Sequence, residues 1–457
     1  MKIAFVTTGA DNYYSLEYQV HARSLEVLRQ LEAQGKFALT DIPEEIRTAE
    51  DFRRLSGQMR GADMLLVQCG GFTDGTLVPL LAELGIPLCI WAVEEPTDSG
   101  DIRLHSLVTQ NLFFGILKKY CGSGLRMYPL NGDCGMMNCL EDFLDILAVE
   151  GLCRELRNGR ICQIGGEAYG FLNLAEDEKA LAEKFGIQIE YRGVPALVAR
   201  AKSFSQEEVA RVLDRVCSET VQDAGLGEYM ERSARIYLAL RELASEGYMG
   251  LAVSCWPELQ DEYSMVPCAA FSWLVEYDGI PVSCEGDIGG LLSMLILQRL
   301  SGTKPSLLDL TQYNREKDAV LFWHCGFSPA SFAEKEDRLI LHPMLNRRME
   351  GKSRLGVSQD FRFHEGRVTV LRVTGRDMKL FAFEARVSSD VGAGFTGTRT
   401  WLTDFSMWDN TLSAQELIDL IMHEGVEHHY ALVFGRITKR LRLFSRINKY
   451  EVVNQNT

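Results

Sequence analysis

The chain has 457 residues, 46 % hydrophobic and 24 % charged, an ordinary globular composition that fills roughly two to four domains with buried cores. Its 63 acidic and 48 basic side chains give a net charge of −15, a surface that repels phosphate backbones and argues against nucleic acid as a partner. Twelve cysteines, none in a C-x-x-C pair and the closest being Cys134 and Cys139, give no disulfide framework and no structural zinc motif.

The start "MKIAFVTTG" lacks the charged and long apolar segments of a signal peptide, and no run of about 18 apolar residues spans a membrane. Together with the thiol usage this predicts a reduced, cytoplasmic protein. "KIAFVTTG" reads as a buried strand, followed by a helix through "SLEYQVHARSLEVLRQLEAQG". "ADMLLVQCGG" and "IPLCIWAVEEP" read as further buried strands with a helical segment between them. "HSLVTQNLFFGILKKYC" is a helix and "LRMYPLNGD" another strand. Continuous apolar strands alternating with helices predict a parallel sheet covered on both faces.

After "EDFLDILAVEGLCRELRNG" the pattern restarts with "RICQIGG", "EDEKALAEKFG" and "IQIEYRG". Ser205 and Glu208 form a capping box opening "SQEEVARVLDRVCSE". "YMGLAVSCW" and "IPVSCEGD" are strands around the helix "VPCAAFSWLVEYDG". Beyond residue 300, "RVTVLRVTG" and "KLFAFEARVSS" read as antiparallel sheet, and the helix "AQELIDLIMHEG" leads to the strand "HHYALVFG". The expected organisation is two Rossmann-like (flavodoxin-like) α/β domains, 1–152 and 153–299, followed by a β-rich, barrel-like domain, 300–457.

Several positions stand out chemically. The glycines of "QIGGEAYG" (Gly165, Gly166, Gly170) lack the spacing of a phosphate cradle, and Glu167 would repel phosphate, so a tight turn is the better reading. Glu285 and Asp287 stand at the carboxyl end of a strand, where ligands bind in α/β sheets. The plainer role is capping the helix "IGGLLSML" that follows. Asp309 interrupts the run "SLLDLTQY", and His324 follows the apolar run "AVLFW". His428 and His429 open a buried strand, where neighbours point to opposite faces. Carboxylates plus an imidazole suit an oxygen-rich site for Mn²⁺, Co²⁺ or Mg²⁺.

These segments resemble the L-fucose isomerase and L-arabinose isomerase superfamily. The similarity is sharpest over "SCEGDIGGLLSMLILQRLSGTKPSLLDLTQY", "VLFWHCG" and "EGVEHHYALVFG". The resemblance implies a metal site of Glu285, Asp309 and His429, with His428 as the other choice of imidazole and Mn²⁺ as the expected ion. It implies Glu285 and Asp309 as the acid/base pair of an aldose–ketose isomerase, an intramolecular oxidoreductase working through an enediolate. His324, His428, Trp256, His105 and Asn111 are the substrate-side positions, with helix surface as the plainer role for the last two. The expected substrate is a free pentose, 6-deoxyhexose or sulfonated hexose, and the expected assembly a homotrimer or homohexamer. Two other readings stay open: a sugar-binding regulatory homologue, and a metal-dependent aldolase or dehydratase.

Overall fold

A computed structural model describes residues 1–120, 124–133, 137–344 and 355–454. Cys134 lies outside them. Two compact units divide the chain, Met1–Gly151 and Leu152–Thr457.

The first unit holds a five-stranded parallel sheet in the order Ala38–Asp41, Lys2–Thr8, Met64–Cys69, Leu88–Ala92, Met127–Asn131. The four predicted strands are all present. The edge strand Ala38–Asp41 and the helix Ala49–Met59 have no counterpart among the predicted elements. The strand is short and half exposed, so it lacks the continuous apolar run of its neighbours. The helix is announced only by a capping box, Thr48 with Asp51. The predicted helix from Ser15 begins instead at Val20, because Gln19 adopts a left-handed conformation at φ 50°. Leu65, Val67, Ile90, Phe113 and Leu117 are among the side chains that fill the core.

The second unit combines a small parallel sheet with a barrel. The sheet runs in the order Val282–Ser283, Leu251–Val253, Arg160–Ile164, Gln188–Arg192. Its strand order reverses beside Arg160–Ile164, the kind of position where ligands bind in open α/β sheets. The glycines after Ile164 serve a tight turn: Gly165, Gly166 and Gly170 all have positive φ, a Cβ on Gly165 would come 2.7 Å from Val194, and one on Gly286 would come 2.0 Å from the Gly166 carbonyl oxygen. No helix of the described residues begins at these glycines, as a phosphate cradle requires.

Six antiparallel strands close the barrel: Ala319–His324, Ser306–Asn314, His429–Phe434, Gly366–Thr374, Lys379–Val387 and Thr398–Met407, the last pairing back with the first. Leu308, Phe322, Val370, Phe383, Leu402 and Tyr430 pack in its buried core. Because strand neighbours alternate, packing Leu308 and Tyr430 inward turns Asp309 and His429 outward. The two are register partners on adjacent strands. Among the described residues no helix is long and apolar enough to cross a membrane.

Candidate active site

The strand Val282–Ser283 ends at Cys284, and Glu285 then takes φ 57° with Gly286 at φ 70°. A left-handed non-glycine residue is uncommon and marks a constrained turn. It sends the two acids of "CEGD" to different places. Glu285 faces a cavity of about 320 Å³. Asp287 is fully buried, where its Oδ1 accepts the Gly290 N–H at 2.8 Å and caps the helix Ile288–Ser301.

Asp287 does more than cap. Its Oδ2 lies 2.6 Å from Nη1 of the fully buried Arg372 and 2.8 Å from Nδ1 of His429. Burial pushes this carboxyl up, but Arg372 and His429 pull it well below the usual carboxylate range. An ionised Asp287 can only accept, so Nδ1 of His429 carries the proton. The free lone pair is then on Nε2, which lies 3.4 Å from Asp309 Oδ1 and 3.6 Å from Glu285 Oε2. A carboxylate that fixes one ring nitrogen and aims the other is the usual support for a metal-binding histidine.

Glu285, Asp309 and His429 thus line the cavity with two carboxylates and one imidazole nitrogen, and among the described residues the donor atoms here that lie within 4.8 Å of one another are those of Glu285, His428 and His429. The His429 nitrogen is too far from either oxygen for a hydrogen bond of normal length, and the spacing leaves room for an ion between them. Burial raises the Glu285 carboxyl, but the hydrogen bond to His428 and the imidazoles around it outweigh this, so it sits below its ordinary value. The donor set fits a hard divalent cation.

His428 also reaches the site, with Nε2 3.4 Å from Glu285 Oε2. The alternation that would turn it away does not apply, because the strand starts at His429. Its Nδ1 is 3.3 Å from Asn173 Nδ2 and its ring packs against Phe171. His324 lines the cavity, its Nε2 3.2 Å from the Cys284 sulfur. Trp256 lines it too, edge-on to Phe171.

Against known proteins, no family model matches the chain. A sulfoquinovose isomerase of Alkalicoccus urumqiensis is 30 % identical over 403 residues, 86 % of each chain. The chain belongs to the sulfoquinovose isomerase family. It is an enzyme, an aldose–ketose isomerase by class. Sulfoquinovose isomerases of Priestia aryabhattai and Priestia megaterium are each 27 % identical over 427 residues, 91 % of this chain and 92 % of theirs. Among solved structures, a periplasmic solute-binding protein of Actinobacillus succinogenes with bound D-allose covers 66 % of this chain and 92 % of its own at 14 % identity. The TM-score is 0.16.

Two of the positions expected on the substrate side, His105 and Asn111, fall in the first unit. His105 lies between Tyr13 and Phe72, with its backbone N–H donating to Glu95. Asn111 is exposed on the helix Ser106–Tyr120. The neighbouring Gln110 spends its amide on the Ile90 and Leu130 carbonyls and is structural. Sequence reasoning missed Cys284, Arg372 and Glu427 as parts of the site. Arg372 had a signal, an arginine inside the apolar run "VTVLRVT"; it is held by Asp287 and by Glu427 at 3.2 Å.

Proposed function

We propose that the protein isomerises a sulfonated aldose to its ketose, with Glu285, Asp309 and His429 holding a divalent cation, Mn²⁺ first. The observation that carries the reading is the convergence of Glu285 and Asp309 on the His429 Nε2. The substrate class rests on the activity of the relatives, sulfoquinovose isomerases similar over most of the chain's length.

The chemistry asks for one proton to leave the carbon beside a carbonyl and return to its neighbour, through an enediolate. A bound cation supplies Lewis acidity at the two sugar oxygens. The protein's own part is to hold and move the proton. Glu285, kept ionised beside three imidazoles, is the base within reach of the cavity, and Asp309 is the second carboxylate. Asp287 and Arg372 fix the His429 ring and its tautomer. Trp256, Phe171 and Trp323 give the cavity an aromatic wall that excludes water from the reacting carbons.

The test is a panel of aldoses and ketoses, including sulfoquinovose, incubated with the Mn²⁺-loaded protein and read by proton NMR. An isomerase gives one product of equal mass from the sulfonated aldose. Two fragments would indicate an aldolase, and binding without conversion would indicate a regulatory homologue.

A further inference from the structure

Three more donor groups meet at the same cavity and have no part in the proton transfer. Cys268 is the first residue of the helix Cys268–Asp278, Cys325 follows the strand Ala319–His324, and His342 follows the strand Arg338–Leu341. All three line the cavity. Cys268 and His342 are buried and Cys325 half-buried. One donor atom from each lies within 4.8 Å of the others. The two sulfurs are 3.6 Å apart. Two thiolates on one tetrahedral ion, with metal–sulfur bonds of about 2.3 Å, stand about 3.8 Å apart, so the pair needs little adjustment to share a cation.

His324 separates this group from the carboxylate site. Its Nε2 faces Cys284 at 3.2 Å and its Nδ1 faces Cys325 at 3.5 Å. The two clusters differ in chemical softness. Carboxylate oxygens with one imidazole suit Mn²⁺ or Mg²⁺, whereas two thiolates with an imidazole suit Zn²⁺ or Cd²⁺. The His342 Nδ1 accepts the Met344 N–H at 3.3 Å.

We propose that Cys268, Cys325 and His342 form a second metal site, for a thiophilic divalent cation, whose fourth position opens into the sugar cavity so that occupancy blocks isomerisation. On binding, each thiol loses its proton to solvent and forms one sulfur–metal bond, and the imidazole gives a lone pair, so two protons leave per ion bound. The blocking half rests on the reading of this cavity as the sugar pocket. The site itself does not.

The experiment titrates the Mn²⁺-loaded full chain with Cd²⁺, following ultraviolet thiolate-to-metal charge transfer and isomerase activity in one series. The absorption should saturate at one equivalent with Mn²⁺ retained, and activity should fall in step. Cys268→Ala and Cys325→Ala should each raise the Cd²⁺ concentration for half-saturation at least about tenfold. In the unsubstituted protein, Cd²⁺ should protect Cys268 and Cys325 from alkylation, read by peptide mass, which needs no variant to fold. No absorption at one equivalent, or absorption and protection that ignore these cysteines, would overturn the site and leave two packed thiols. Saturation with undiminished activity would overturn the blockage. The absorption reads the thiols whether or not a sulfonated sugar is turned over, so failure here and failure of the proposed function are distinguishable.

Discussion

The Nδ1 of His429 lies 2.8 Å from Oδ2 of Asp287, and both side chains are buried. This contact joins the start of a barrel strand to the capping residue of the helix Ile288–Ser301, and it decides which imidazole nitrogen faces Glu285 and Asp309. Asp287→Asn removes the charge that holds both His429 and Arg372. Leaving Arg372 short of a partner in the interior should cost about 3–5 kcal/mol. Losing the support of the histidine should weaken cation binding about 10–100-fold. The sign with pH follows from the depressed carboxyl. Its contribution is complete above the unfolded value of about 4 and is lost as the pH falls toward the folded one. Urea midpoints should therefore separate wild type and variant equally from pH 5 to 8 and converge below about pH 4.

Glu176 gives the opposite dependence. Burial pushes its carboxyl up to about 8, against the pull of Arg372, with Glu427 and Asp287 adding to the rise. The folded protein thus holds a proton that the unfolded chain releases near pH 4, and stability falls as pH rises between those values. Glu176→Gln should leave the urea midpoint little changed at pH 4 and raise it progressively up to about pH 8. A constant offset would show that the carboxyl does not titrate there.

The two adjacent histidines should separate by metal affinity. His429 has its Nδ1 anchored on Asp287, whereas His428 touches Glu285 from a half-buried position with Asn173 behind it. His429→Ala should lose Mn²⁺ binding measured by calorimetry, and His428→Ala should weaken it far less. The reverse order would mean that the anchored ring is structural only.

Glu285→Gln keeps the size of the side chain and removes its basic charge. Isomerisation by the folded, metal-loaded variant should fall about 10²–10⁴-fold. Asp309→Asn should behave alike. The double variant should be little worse than either single one, because groups acting as a unit are not additive. Near-normal turnover by Glu285→Gln would remove that residue from the chemistry.

The order of strands and helices was legible because apolar runs and capping residues are local signals, as "KIAFVTTG" and the Ser205–Glu208 box illustrate. The candidate donors were legible one by one, since a carboxylate at a strand end or a histidine beside an apolar run is conspicuous. Their division of labour was not. Residue type alone gave Asp287 and Glu285 the same choice of cap or ligand, and the left-handed backbone at Glu285 and Gly286 sends them apart. His428 looked the less favoured imidazole by strand alternation, yet the strand begins one residue later. Cys268, Cys325 and His342 come from three separate elements, so no sequence spacing announced their meeting.

The central claim is that a divalent cation held by Glu285, Asp309 and His429 is required for isomerisation. The direct measurement is activity on the sulfonated aldose by proton NMR, with metal content determined on the same sample, before chelation, after it, and during back-titration with Mn²⁺. Activity should vanish with the metal and return in proportion to Mn²⁺ bound, up to one ion per chain, and His429→Ala should fail to recover at the same Mn²⁺ concentration. Full turnover by metal-free protein would contradict the account.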